Sequence, residues 1–167
     1  MIRKATLNDS TRIAEIDVTS SRYAYKSIVS EKCLYEDLSV EKRIPVYEKW
    51  ISQNRFDLYV YENPETGVIK GMMGIGICED DDKKDAFELH FLYVDPAYMR
   101  MGVGYELLRF YEQIGKDKGC REYVIWFLED NEIGKSFYEK NHYCFDGEEK
   151  MFKRWNKREI RYVKADC

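Results

Sequence analysis

Val94-Asp95-Pro96-Ala97-Tyr98-Met99-Arg100-Met101-Gly102-Val103-Gly104-Tyr105 is the stretch on which the reading of the fold turns. Before it, residues 86–94 read as a strand, ended by Asp95-Pro96. After it, residues 102–118 read as a helix with Val103, Leu107, Phe110, Tyr111 and Ile114 on one stripe and Gly119 as a stop. Tyr123-Val124-Ile125-Trp126-Phe127-Leu128 is then apolar at every position, which suits a strand buried on both faces and lying parallel inside a covered sheet. Strand, helix and strand over 86–128 imply a right-handed crossover. Two glycines at a strand-to-helix turn let the backbone approach a ligand closely. They also leave N–H groups pointing outward at the positive end of the helix dipole. Such a turn suits phosphate or pyrophosphate; the plainer reading is a tight turn in which glycine serves conformation alone. No G-K-[ST] follows, so this is not a P-loop. Leu107 stands where the third glycine of G-x-G-x-x-G belongs, and the segment lies mid-chain, so it is not a dinucleotide fingerprint either.

Working outward, residues 56–61 are strand-like, 63–67 form a turn by composition, and 68–78 form a second strand loosened by Gly71, Gly74 and Gly76. The charged run 79–85 reads as an exposed hairpin loop, which completes an antiparallel meander with 86–94. Toward the N-terminus, residues 2–7 suggest a short strand, and Asn8 or Asp9 caps a helix carrying Ile13 and Ile16. A second helix covers 40–53, with Ile44, Tyr47 and Ile51 in phase and Pro45 in its first two turns. Toward the C-terminus, a short helix over 131–140 precedes two strands near 142–146 and 150–163. The fold class is α+β, with a mixed, mostly antiparallel central sheet flanked by helices. One domain is expected to span 1–167, because no linker, repeat or low-complexity tract interrupts the chain.

Composition narrows the function. Lys+Arg 27 against Asp+Glu 31 gives a net charge of −4, which argues against non-specific nucleic-acid binding and permits a cationic partner. No apolar run reaches the roughly 20 residues that span a bilayer, and residues 1–6 lack a signal-peptide core, so a cytoplasmic protein without a membrane partner is expected. Cys33, Cys78, Cys120, Cys144 and Cys167 are scattered singly, and only His90 and His142 could join them as ligands, so no metal site is expected. No cysteine has a histidine at a spacing that would mark it as a nucleophile.

These residues resemble a known family, the GNAT superfamily of acetyl-CoA-dependent N-acetyltransferases. Leu92-Tyr93-Val94-Asp95-Pro96 followed by Gly102-Val103-Gly104 is similar to its motif A. Asn131, Phe137, Tyr138, Lys140 and Tyr143 match its downstream motif N-x-x-A-x-x-F-Y-x-K-x-G-F. Arg22-Tyr23-Ala24-Tyr25-Lys26-Ser27-Ile28-Val29 also resembles one common bacterial branch. Three positions depart from the pattern: Met99 where Arg or Gln is usual, Gly134 for Ala, and His142 for Gly.

The resemblance implies acetyl-CoA as cosubstrate and a primary amine as acceptor, on a small molecule such as a polyamine or on a protein. The alternative is a non-catalytic acyl-CoA-binding or sensor module on the same fold. It implies that the backbone of Leu92 and Val94 pairs with the pantetheine arm and that amides of Arg100, Met101, Gly102, Val103, Gly104 and Tyr105 cradle the pyrophosphate. Asn131 would bind the cofactor arm; its plainer role is a helix cap. Tyr138 would protonate the departing thiolate, which a phenol with a pKa of about 10 can do when held close. Strand alternation places Glu88, His90 and Leu92 on one side of their strand, with Phe87, Leu89 and Phe91 on the other. Glu88 is the expected general base, with His90 or water as alternatives. The acidic loop 79–85 is either a solvated turn or a border of the acceptor cleft that favours cationic amines. Family habit also implies a homodimer.

Overall fold

The computed structural model describes residues 1–165, so Cys167 lies outside the described residues. Its strands are β1 (Ile2–Lys4), β2 (Asp57–Glu62), β3 (Ile69–Ile77), β4 (Phe87–Val94), β5 (Glu122–Leu128), β6 (Cys144–Phe152) and β7 (Lys157–Ala165). Its helices are α1 (Ser10–Tyr25), α2 (Val40–Ser52), α3 (Val103–Asp117) and α4 (Glu132–Lys140). One sheet runs in the order β1-β2-β3-β4-β5-β7-β6. Every neighbouring pair is antiparallel except β4 and β5, which are parallel across the α3 connection. No helix among the described residues is long and apolar enough to cross a membrane.

Each face of the sheet carries a pair of helices. On one face Val103, Leu107, Leu108 and Tyr111 of α3, with Tyr138 of α4, pack against Phe87, Leu89, Ile125 and Phe127. On the other, Ile13 and Ile16 of α1 and Tyr47 of α2 pack against Leu58, Val60 and Met72. Burying each of these side chains fully stabilises the fold by about 1.5–3 kcal/mol, so two opposed apolar faces hold the sheet between helices. The β5 residues at 123–125 and 127–128 are buried, as an all-apolar strand in the middle of a covered sheet requires.

β4 does not alternate regularly. Gly74 pairs with Phe91 and Ile75 with Leu89, so His90 is an extra residue, a β-bulge. The bulge reverses the parity of the strand. Phe87 and Leu89 face α3, and so do Leu92 and Val94, whereas Phe91 and Tyr93 pack on the α1/α2 side. The expected grouping of Glu88, His90 and Leu92 against Phe87, Leu89 and Phe91 is therefore wrong beyond residue 90. Gly74 and Gly76 make room for the bulge: a Cβ on Gly74 would lie 2.4 Å from the Phe91 ring, and one on Gly76 would lie 3.1 Å from His90 Nε2.

Beyond the bulge, β4 and β5 part. They pair only at Phe87–Tyr123, Glu88–Val124 and Leu89–Ile125. The same three β4 residues are buried, while the five that follow are half-buried. β3 still holds the far edge of β4, and β7 holds the far edge of β5. The two strands thus diverge with their facing edges free.

Two local expectations change. Asp9 is not a side-chain cap for α1. Its carboxylate turns back to accept from the Thr6 amide at 2.7 Å and from Arg3 Nη1 at 2.9 Å, within a short turn over Leu7–Asp9. The C-terminal hairpin turns after residue 152, and Gly147, at φ 102°, lies in a bulge of β6 rather than in the connection. That bulge aims Asp146 at Arg161 Nε, 2.8 Å away.

Candidate active site

The turn that follows β4 is held from α1. Arg12 pairs with Asp95 and donates from Nε to the Ile69 carbonyl at 3.1 Å. Asp95 in turn accepts from the Ala97 amide at 2.9 Å. Arg100 at φ 62° and Gly102 at φ 84° then take left-handed conformations, which roll the chain into α3. The amides of Val103, Gly104 and Tyr105 occupy the first helical turn, where no intrahelical acceptor exists, at the positive end of the dipole. A Cβ on Gly102 would meet nothing within 4 Å, so its role is conformational. The open edge of β4 at Leu92 and Val94 leads directly into this cradle.

α4 begins beside it. Asn131 is buried and its Oδ1 accepts from the Gly134 amide at 3.1 Å, so it is a helix cap, with its amide nitrogen left for other bonds. A Cβ on residue 134 would stand 2.7 Å from that nitrogen, which accounts for glycine at this position. The helix closes with a paired cap: the His142 amide donates to Glu139 and the Tyr143 amide to Tyr138, with His142 at φ 67°. The expected left-handed turn survives with histidine in it.

Tyr138 lies on the buried side of α4, 8% exposed, with the Phe127 and Phe137 rings each 5.2 Å away. Burial raises its phenol above the ordinary tyrosine range, and the charge of Tyr25 adds to the rise. The Tyr25 phenol is itself raised by burial and by the Asp17 and Glu159 charges, with Tyr93 acting weakly the other way. Trp155, in the β6–β7 turn, packs on Tyr25 with ring centres 5.2 Å apart.

Glu88 and His90 come together rather than standing as alternatives. Glu88 is 8% exposed, and its Oε1 lies 3.0 Å from His90 Nδ1. The imidazole rests on the Phe56 ring, with centres 4.5 Å apart. Burial pushes the Cys78 thiol up to about 12, and the Glu88 and Asp80 charges add to the rise, so this cysteine is an inert neighbour.

Tyr25 and Tyr93 entered the sequence reading only as parts of motifs, with no role of their own, and Glu159 did not enter it at all. In β7, charged Glu159 and Arg161 alternate with apolar Ile160 and Tyr162 and look like a solvated face. Only the insertion of β7 between β5 and β6 places Glu159 opposite Leu128, half-buried.

The acidic loop 79–85 is at the other end of β4, and its charges have partners inside the fold. Arg161, 3% exposed, donates to Asp80 at 3.0 Å and to Asp82 at 2.6 Å. Asp80 also accepts from Trp126 Nε1 at 2.9 Å, and Lys83 pairs with Glu122 at 2.6 Å.

Comparison with known proteins bears on this geometry. The model of the acetyltransferase (GNAT) family matches residues 23–143. A spermidine N(1)-acetyltransferase of Thermoplasma acidophilum is 30% identical over 144 residues, covering 84% of this chain and 85% of the relative. The PaiA N-acetyltransferase of the same organism, solved in complex with coenzyme A, superposes with a TM-score of 0.75 at 23% identity, covering 96% of each chain. A GCN5-related N-acetyltransferase from Rhodopseudomonas palustris superposes with a TM-score of 0.77 at 17% identity, over 99% of this chain and 94% of the other.

Proposed function

Since the chain belongs to the acetyltransferase (GNAT) family, with acetyl-CoA as its cosubstrate, we propose that it acetylates a primary amine of a small cationic molecule by direct attack. The observation that carries this reading is the parting of β4 and β5 after Leu89. It frees two strand edges, leads one of them into a helix N-terminus, and leaves Tyr138 and the Glu88–His90 pair on opposite sides of the opening. The Leu92 and Val94 backbone is suited to pair with the amide-bearing pantetheine arm in the manner of an added strand. The amides from Arg100 to Tyr105 hold the pyrophosphate, and Asn131 contributes its free amide nitrogen to the arm. Acetyl-CoA supplies a thioester carbonyl that a neutral amine can attack without an enzyme-bound intermediate.

An amine must lose its proton to attack. Glu88, coupled to His90, takes that proton directly or through water. Tyr138 keeps its own proton in the neutral range because it is buried, and it donates that proton to the sulfur as the bond to carbon breaks. A free backbone N–H along residues 92–94 polarises the carbonyl oxygen. The polyamine acceptor is supported by the relative named for spermidine and by the carboxylate at the opening.

The test is thiol release from acetyl-CoA with spermidine, neutral and acidic amino acids, aminoglycosides and N-terminal peptides as acceptors. Release that is fastest with spermidine supports the reading. Acetyl-CoA binding with no release for any amine would instead make the chain a sensor.

A further inference from the structure

We propose that Glu159 binds a second cationic nitrogen of the acceptor, and so selects diamines and polyamines over monoamines. The inference rests on the acetyl-transfer reading above and assigns its acceptor specificity to one residue. Register fixes the place of Glu159. Glu88 pairs with Val124, which pairs with Val163; two steps along, Trp126 pairs with Arg161; two more, Leu128 pairs with Glu159. Directly paired residues share a face, as do residues two apart on a strand, so Glu88 and Glu159 lie on one face of the sheet. Glu159 stands where β5 has already left β4, across the opening from the Glu88–His90 pair.

Its surroundings ask for a cation. Arg161, two residues along the same strand, is fully engaged by Asp80, Asp82 and Asp146. Lys150, opposite Glu159 on β6, has its ammonium over the Trp126 ring at 3.8 Å. Among the described residues, Glu159 has no hydrogen bond from a side chain and no ion pair within 4 Å, although Lys150 and Glu88 both act on it through their charges. Burial raises its carboxyl above the ordinary range; the Lys150 charge opposes that rise, and the smaller influence of Glu88 adds to it. A half-buried carboxylate near a second carboxylate is relieved by a cation bound between protein and solvent. An α,ω-diamine supplies one nitrogen to react near Glu88 and His90, and keeps the other as an ammonium for Glu159.

The experiment compares wild type with Glu159→Gln, an isosteric change that removes the charge, using spermidine, putrescine and cadaverine against butylamine and pentylamine. In Glu159→Gln, kcat/KM for the diamines and spermidine should fall about tenfold or more, chiefly through KM. The values for monoamines and the KM for acetyl-CoA should stay as they were. Glu159→Asp should restore part of the preference, which separates a charge effect from a folding defect. Equal losses on diamines and monoamines, or no loss on either, would overturn the inference while leaving the acetyltransferase reading intact. Absence of thiol release by wild type with every amine would overturn both.

Discussion

The two ends of β4 differ in what the fold leaves unpaired. At Phe87–Leu89 the strand is hydrogen-bonded on both edges and buried, and the charges nearby answer one another around Arg161. From His90 to Val94 the same strand keeps only its β3 edge, its residues are half-buried, and a bulge turns its side chains over. A paired edge stabilises; a free edge beside a helix N-terminus can accept a ligand's amides and phosphates. Chemistry is thus expected at the open end and stability at the closed one. The contrast also shows why a dense acidic run is a poor guide to a substrate: the run 79–85 holds a buried arginine.

The largest effect should come from Tyr138→Phe at the open end. Turnover should fall about 10²–10⁴-fold, the usual reach of general acid catalysis, with acetyl-CoA affinity by equilibrium titration nearly unchanged. Because the buried wild-type phenol stays protonated, the loss should be even from about pH 6 to about pH 9. An equal loss of affinity and turnover would reduce Tyr138 to a packing residue.

Arg161→Met probes the closed end. It leaves Asp80, Asp82 and Asp146 facing one another without their cation. Breaking a fully buried pair costs about 3–5 kcal/mol, and the partial exposure of these carboxylates lowers that to about 2–3 kcal/mol. Denaturant unfolding should show this loss, while activity per folded molecule stays within about twofold. A large drop in kcat at full stability would erase the distinction between the two ends.

Glu88→Gln is a change within the closed end, at a carboxylate that reaches His90 at the start of the open one. We expect kcat/KM to fall about 10–100-fold and the pH–rate profile to change shape. An unchanged profile would move the base to His90 or to water.

The smallest effect belongs to the seat of Tyr138. His142→Gly should relieve a left-handed backbone at an exposed position and stabilise the protein by about 0.5–1 kcal/mol, raising Tm by about 1–4 °C with kinetics unaltered. A lower Tm would mean that the imidazole makes a stabilising contact of its own.

Much of this was legible in the chain. The period-two runs, the apolar β5, the stripe of α3 and the Asp95-Pro96 stop all follow from local patterning, and each matches an element of the structure. The turn from Arg100 into α3, the cap at Asn131 and the place of Tyr138 on α4 could be read because local motifs place them. What local reading misjudged was parity and partnership. It carried alternation through His90, where a bulge reverses the face, and it parted two strands between 146 and 150, where β6 only bulges. It left the acidic loop as a solvated turn or a substrate-facing border, and its partner Arg161 lies about eighty residues away. Glu159 carried no local signal of a role.

By itself, the sequence determined the α+β class, the order of the elements and the family. Each follows from hydrophobic periodicity, turn chemistry and short motifs that act within a few residues. Only the tertiary structure decided where β4 and β5 part, which face Leu92 takes, and which carboxylates are matched by cations. Those depend on pairing between strands remote in sequence, and burial raises the cost of an unmatched charge only once the strands have come together.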